Sequence, residues 1–208
     1  MRKHNVFYSI LILLLTTMLS ITAVHAKSKR VEDGSHIQKR NYYPKVQFST
    51  SMGDFVVELN RRKAPMTVNN FLRYVDKGMF NKTIFHRVVA NFVVQGGGYT
   101  VEGDEKPAFD PIFNESGNGL TNDQYTIAMA RQNDPHSAMR QFFFNMSDNP
   151  SLNPGRRWGY AVFGDVVEGT EVLDAISQVE TGVDEVTGFP EAPLEPVLIN
   201  SVTILPEE

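Results

Sequence analysis

Apolar and polar residues alternate along the chain just after Lys45. Residues 46–50 follow a two-residue period, and residues 55–59 continue as a mostly apolar run. Both patterns are typical of strands with one buried face. The connecting segment 52–54 contains Gly53, and glycine favours a tight turn. The pattern therefore predicts an antiparallel hairpin at the start of the folded domain.

A helical period follows the hairpin. Apolar residues recur on one face of this segment, at Val68, Phe71, Leu72 and Val75. Pro65 suits the first turn of a helix, and Gly78 suits the left-handed conformation that ends many helices. We therefore predict a helix over residues 65–78, and a similar pattern predicts a second helix over residues 169–179.

Short apolar runs account for most of the remaining chain. They are separated by loops rich in glycine, proline and asparagine, and they cover residues 83–88, 92–95, 125–130, 141–145, 160–167 and 197–205. Many short strands with only two helices favour a closed antiparallel barrel over an alternating α/β fold. The predicted fold class is therefore mainly β.

The N-terminus has the pattern of an export signal. Residues 2–4 are Arg-Lys-His, residues 6–15 are almost wholly apolar, and residues 23–26 read Ala-Val-His-Ala. This order predicts a signal peptide over residues 1–26, cleaved after Ala26. The alternative is an uncleaved membrane anchor, because the apolar stretch approaches the length that spans a bilayer. Several serines and threonines dilute that stretch and favour cleavage.

Composition argues against several classes of function. The chain has 208 residues, 41% of them hydrophobic, with a net charge of −4 and no cysteine. Residues 27–44 are polar and lack apolar periodicity, which predicts a flexible tail before a single folded domain over residues 45–208. The mild negative charge argues against nucleic-acid binding. The absence of cysteine excludes thiol catalysis, and the five scattered histidines predict no metal site.

The densest mixture of apolar and charged residues begins at Phe85. Strand alternation puts Phe85 and Arg87 on one face and His86 on the other. Val93 and Gln95 share a face after the following turn. The residues alone favour a surface position for Arg87, where the stem of its side chain covers an apolar edge.

Two other segments stand out. Phe142, Phe143 and Phe144 are consecutive, so both faces of that strand are at least partly buried, and we expect Phe142 and Phe144 in the core. The glycine run at residues 96–98 lacks the Lys-Ser/Thr of a phosphate loop. It predicts a turn with a close backbone approach.

Taken together, these motifs resemble the cyclophilin family of peptidyl-prolyl cis-trans isomerases. The motifs are Phe-His-Arg at 85–87, Phe-x-x-Gln-Gly-Gly at 92–97, Gln-Phe-Phe at 141–143, and Leu152 ahead of Val-Phe-Gly at 162–164. The resemblance spans about residues 45–205 and, with the signal sequence, is strongest to the bacterial periplasmic branch. It implies a closed eight-stranded antiparallel β-barrel capped by two α-helices, with a peptide groove on the outer face.

The resemblance also implies roles for individual residues. Arg87 is the catalytic arginine, assisted by Gln95 and Phe92. The substrate-binding residues implied around it are Val93, Ala130, Gln141, Phe143, Leu152 and Tyr160. Tyr160 stands where many members carry histidine. Ser151 stands where many carry an aromatic residue associated with cyclosporin binding, so we expect weak sensitivity to that drug.

The implied reaction is rotation about an Xaa-Pro bond, which needs no metal or cofactor. Arg87 would donate to the prolyl nitrogen as the amide twists. The expected partners are proline-containing peptides and folding exported proteins. We expect a periplasmic monomer that binds no nucleic acid and is not inserted in the membrane after cleavage.

Two rival functions remain at this stage. The first is a non-catalytic binding module, because Ser151 and Arg131 depart from the common family pattern. The second is a small-ligand carrier with an open barrel lumen. Inward positions rich in Phe, Val and Ile disfavour the carrier, because they fill a small barrel.

Overall fold

The computed structural model describes residues 32–207, so the predicted signal peptide lies outside the described residues. The elements are β1 (Lys45–Thr50), β2 (Gly53–Leu59), α1 (Pro65–Asp76), β3 (Thr83–Val89), β4 (Val93–Gly96), β5 (Thr126–Met129), β6 (Phe142–Asn145), a 3₁₀ turn (Pro150–Leu152), β7 (Val162–Glu168), α2 (Thr170–Ser177), β8 (Thr181–Gly182), β9 (Ala192–Pro193) and β10 (Leu198–Ile204). No helix within residues 32–207 is long and apolar enough to cross a bilayer.

Eight of the strands close into an antiparallel barrel. Their order around it is β1-β10-β3-β4-β6-β5-β7-β2, and β8 and β9 form a separate two-stranded sheet. Val172 of α2 packs against Gly53 at one end of β2, whereas α1 follows the Leu59 end. The predicted mainly β barrel with two helices is confirmed.

Aromatic rings fill the barrel interior. Phe48 stacks on Phe55 with 4.8 Å between ring centroids, and Phe71 of α1 meets Phe142 edge-on at 5.7 Å. Each buried ring removes a large apolar area from water, and edge-on pairs add to that stabilisation. The interior is therefore packed core, which leaves no room for the lumen that a carrier requires.

Strand β6 has two differently buried faces. Phe142 and Phe144 lie in the barrel core, as predicted. Phe143 points to the outer face, where it packs with Val93 and Ala128 in a second apolar cluster. The alternation of side chains along the strand therefore supplies both the core and an external apolar surface.

The predicted shared face of Phe85 and Arg87 is wrong. Phe85 pairs with Gly96 while Arg87 pairs with Gln95, so the register shifts between them and His86 is the additional residue of a β-bulge. Phe85 is fully buried in the core, whereas Arg87 lies beside Gln95 on the outer face. A two-residue period fails here because the bulge inserts one residue into the strand.

The polar segment predicted to be a flexible tail needs correction for its described part, residues 32–44. The buried guanidinium of Arg61 donates to the carbonyls of Ile37, Gln38 and Asn41 at 2.6–2.9 Å. The side chain of Gln38 also donates to the Leu205 carbonyl at 2.7 Å. These backbone contacts attach the segment to the domain, although it has no apolar pattern of its own.

His86 lies under the loop that precedes β9. Its ring is 4.9 Å from Tyr99 and 5.7 Å from Phe189, and it is only 6% exposed. Its Nδ1 has no hydrogen-bond partner among the described residues. Burial, reinforced by the positive charge of Arg87, lowers the pKa of His86 from 6.5 to about 4. His86 is therefore neutral in the folded protein at neutral pH.

We expect this buried histidine to destabilise the domain in mild acid. The unfolded chain binds a proton near pH 6.5 and the folded chain only near pH 4, so stability present above pH 6.5 is lost as the pH falls towards 4. Between about pH 7.5 and about pH 5, His86 should account for a loss of about 2 kcal/mol. Urea unfolding at the two pH values should show this loss in the wild type and its absence in His86→Phe.

The exposed His36 provides the control. A His36→Gln variant should keep the wild-type pH dependence, because His86 is still present. If His86→Phe lost stability with falling pH as steeply as the wild type, the buried histidine would not be the source.

Candidate active site

An apolar hollow lies on the outer face of the barrel, over β4, β5, β6 and β7. Its floor is formed by four buried side chains, Val93, Ala128, Phe143 and Val162. Partly buried residues packed on this floor include Phe92, Ala130, Leu152 and Tyr160. The structure thus brings together the six apolar or aromatic residues that the resemblance implies for the site, namely Phe92, Val93, Ala130, Phe143, Leu152 and Tyr160.

A row of paired residues connects this hollow to Arg87. Across five neighbouring strands, the successive Cα partners are Arg87, Gln95, Phe143, Ala128 and Val162. Paired residues on adjacent strands point to the same face, and the strands lie about 4.8 Å apart. The backbone of Arg87 therefore lies two strands, or about 10 Å, from the backbone of Phe143 at the centre of the hollow.

Buried asparagines hold the turn that carries Phe92. The carbonyl of Phe92 accepts hydrogen bonds from the Met146 amide and from Asn149 Nδ2, both at 2.9 Å. Asn149 Nδ2 also donates to Oδ1 of the fully buried Asn145 at 2.8 Å. Neither asparagine could be recognised in the sequence, because nothing local shows that the Asn149 amide reaches a turn more than 50 residues away or that Asn145, at the end of β6, supports it.

Two contacts fix the ring of Tyr160. It stands edge-on to Phe143 with 5.5 Å between the ring centroids, and the guanidinium carbon of Arg131 lies 4.6 Å from its centroid. The Tyr160 amide donates to the Leu152 carbonyl at 3.0 Å, and this bond holds the segment just before β7 against the 3₁₀ turn. Tyr160 therefore forms a rigid wall at one end of the hollow.

The two glutamines lie at the other end. Gln95 Nε2 donates to Gln141 Oε1 at 3.1 Å, and the amide of Ala130 donates to the Gln141 carbonyl at 3.0 Å. A side chain at Gly98 would bring its Cβ within 2.7 Å of Gln141 Nε2. The close backbone approach expected for the glycine run is confirmed, and it leaves room for the Gln141 side chain.

Arg87 is held by a carboxylate that the sequence analysis did not identify. Its Nε donates to Glu191 Oε2 at 2.8 Å, and the two side chains are 33% and 44% exposed. The carbonyl of Glu191 accepts from the Val88 amide at 2.8 Å, which attaches this loop to β3. Among the described residues, neither terminal nitrogen of the Arg87 guanidinium has a hydrogen-bond partner. Those nitrogens are therefore free to bind a ligand.

Two cavities border the hollow, and Arg131 lines both of them. One, of about 320 Å³, is lined by residues that include Gln95, Ala130 and Gln141. The other, of about 770 Å³, is lined by residues that include Leu152 and Tyr160. An apolar hollow bordered by two cavities fits a ring-shaped group within an extended chain, and the guanidinium of Arg87 can donate hydrogen bonds to polar atoms of that chain.

The chain matches known proteins over most of its length. The family model for cyclophilin type peptidyl-prolyl cis-trans isomerase/CLD matches residues 45–204. The chain is 52% identical over 164 residues to peptidyl-prolyl cis-trans isomerase cyp18 of Streptomyces antibioticus. This alignment covers 77% of this chain and 98% of that relative. It is 46% identical over 163 residues to peptidyl-prolyl cis-trans isomerase B of Escherichia coli K12. This alignment covers 76% of this chain and 98% of that relative.

A solved structure has the same fold. The crystal structure of a Cryptosporidium parvum cyclophilin type peptidyl-prolyl cis-trans isomerase superposes with a TM-score of 0.63 at 27% sequence identity, covering 80% of this chain and 100% of that one. The family match includes all eight barrel strands and both helices. The chain therefore belongs to the cyclophilin family and is a peptidyl-prolyl cis-trans isomerase.

Proposed function

We propose that the outer hollow holds the proline ring of an Xaa-Pro peptide and that Arg87 is the catalytic residue. The observation that supports this most strongly is the row of paired residues from Arg87 through Gln95 to Phe143. Along this row, Arg87 and the apolar floor lie on the same face of the barrel wall. The proline ring packs on Val93 and Phe143, and the rotating bond lies towards Arg87.

The chemistry requires only that the twisted amide bind better than the planar one. The barrier to rotation is about 18–20 kcal/mol, because resonance gives the C–N bond partial double-bond character. As the amide twists, its nitrogen regains a lone pair that can accept a hydrogen bond. The guanidinium of Arg87 is always charged and donates more strongly to that nitrogen than to the planar amide, which lowers the barrier.

The remaining site residues hold the peptide. Phe92, Leu152 and Tyr160 surround the ring of the proline, and the polar groups of Gln95 and Gln141 contact the peptide backbone. Because Gln95 Nε2 already donates to Gln141 Oε1, the amide group of Gln141 is oriented with its own nitrogen available as a donor. The backbone of Ala130 borders the same end and suits an extended peptide.

Glu191 serves as a positioning residue for Arg87. Its carboxylate accepts from Nε, which turns the terminal nitrogens of the guanidinium away from that contact. An arginine side chain has many rotamers, so a fixed Nε contact reduces the entropy lost when the substrate binds. The left-handed backbone of Glu191, with φ of 60°, indicates that the loop is constrained at this position.

The cellular role follows from the N-terminal sequence. Removal of residues 1–26 would release a monomeric isomerase into the periplasm, where it would assist the folding of exported proteins. Uncatalysed exchange of Xaa-Pro bonds takes tens to hundreds of seconds, which is slow enough to limit folding there.

Replacing the proposed catalytic residue tests the assignment directly. We expect Arg87→Ala to lower kcat/KM for a proline tetrapeptide by about 100- to 1,000-fold, as when a positioned transition-state donor is removed elsewhere. Arg87→Lys should recover little activity, because an ammonium lacks the planar fork. The matched control is the exposed Arg62→Ala. Near-normal turnover by a folded Arg87→Ala variant would refute the assignment.

Glu191 variants test the positioning role. We expect Glu191→Ala to lower kcat by about 2- to 5-fold with little change in KM, which is the range of a partly exposed ion pair. Glu191→Gln should retain more activity, because its amide oxygen can still accept from Arg87 Nε. The exposed Glu195→Ala provides the control in the same segment.

A double-mutant cycle separates positioning from a structural effect. In an Arg87→Ala background, Glu191→Ala should cause no further loss, because the group it positions is gone. An additional loss of similar size in that background would contradict the positioning role.

Export is tested on the full chain expressed in a Gram-negative bacterium. We expect the osmotic-shock fraction to contain a protein that begins at Lys27, as measured by intact mass. Leu14→Arg should abolish its release, because a charge interrupts the apolar stretch. Recovery of the uncleaved chain in the membrane fraction would support the anchor instead.

A further inference from the structure

We infer that the groove continues past Tyr160 into a basic subsite that selects substrates with an Asp or Glu near the proline. This inference rests on the proposed function, because it concerns substrates of the same groove. The subsite is the cavity of about 770 Å³ that shares Leu152 and Tyr160 with the proline hollow. A peptide that fills the hollow therefore leads directly into it.

The charge of this cavity is one-sided. Its lining includes Arg131, Arg156 and Arg157 and contains no Asp or Glu. The chain as a whole carries a net charge of −4, so the three positive charges around this cavity are opposite in sign to the net charge of the protein. The neighbouring Asp134, whose carboxylate accepts from the His136 amide at 2.8 Å, does not line the cavity. A cleft lined by charges of one sign concentrates ligands of the other sign.

Arg131 supplies a fixed part of this charge. Its guanidinium donates to the carbonyls of Gln132 at 2.8 Å, Trp158 at 2.6 Å and Gly159 at 3.3 Å, and it lies over the Tyr160 ring. Carbonyls and a ring orient the cation but do not neutralise it. Its charge therefore acts at the boundary between the hollow and the cavity.

Arg156 and Arg157 supply the movable part. Both side chains are exposed, and neither forms a hydrogen bond or an ion pair with another described residue. Exposed arginines can close on a carboxylate with two parallel hydrogen bonds, for which the planar guanidinium is shaped. The adjacent Trp158 ring, 51% exposed, offers an apolar surface to the methylene groups of a glutamate.

The position of the cavity sets where the acidic residue must be. A chain in extended conformation advances about 3.3–3.6 Å per residue, so the cavity beside Tyr160 is reached within about three residues of the proline. Because Arg156 and Arg157 line this cavity and not the one beside Gln95 and Gln141, the preference that depends on them is confined to one side of the proline. An acidic residue on the other side would lie towards Gln95 and Gln141, in a cavity where Glu105 accompanies Arg131 and Arg140 and where Arg156 and Arg157 are absent, so we expect no comparable gain there.

A series of matched peptides tests the subsite. Each peptide carries Glu, Gln or Lys at one of the three positions before or after a single proline, and kcat/KM is measured at low and at high salt. At low salt we expect Glu to exceed Gln by about 5-fold at a position on one side only, with Lys below Gln. High salt should reduce this ratio, because exposed charges are screened.

The matched variant replaces both movable arginines. In Arg156→Gln/Arg157→Gln the ratio of Glu to Gln should fall towards 1, whereas Arg62→Gln, an exposed arginine outside the cavity, should keep the wild-type ratio. Equal rates for Glu and Gln peptides at all positions in the wild type would overturn the subsite while leaving the isomerase assignment intact.

Binding of the same peptides keeps the two proposals separable. If no peptide were isomerised, the catalytic proposal would fail, and peptide affinities measured by calorimetry would then decide the subsite alone. A tighter Kd for Glu than for Gln that depends on Arg156 and Arg157 would support the subsite, and equal Kd values would overturn it.

Discussion

One inserted residue in β3 determines where the charge of Arg87 lies. Regular alternation from Phe85 would direct the guanidinium into a barrel packed with phenylalanine rings, where an unpaired cation is strongly disfavoured. The bulge at His86 turns Arg87 outward and returns Val88 to the core three residues after Phe85. The common face of the cation and the apolar hollow, and with it the whole catalytic proposal, depends on this local change of register.

The bulge also explains the neutral histidine behind the site. His86 is the residue left without a cross-strand partner, and it is packed between Tyr99 and Phe189 under the loop that carries Glu191. The same loop therefore buries a base and positions a cation. Because the packing on His86 and the contact with Arg87 belong to one short segment, the packing of the loop and the electrostatics of the site are coupled.

Periodicity and motifs predicted some parts of this protein and missed others. The hairpin, both helices and the core positions of Phe142 and Phe144 follow from local spacing, which the barrel leaves unchanged. Motif resemblance pointed to Arg87 and to six apolar or aromatic residues that the structure places together on the outer face. Glu191 could not be found, because it is 104 residues from Arg87 and is an ordinary loop glutamate in sequence. Residues 32–44 were mistaken for a tail because backbone carbonyls, invisible in a residue pattern, hold them to Arg61.

The apolar hollow lies on the outside of a solid barrel and is bordered by two open cavities. An enclosed chamber would accept only a free terminus or a short fragment. A surface channel instead lets a long polypeptide lie across it at any internal position, with the flanking stretches still attached to structure that has already formed. Access is then governed by how exposed a given proline is in the substrate, so prolines inside compact regions are excluded.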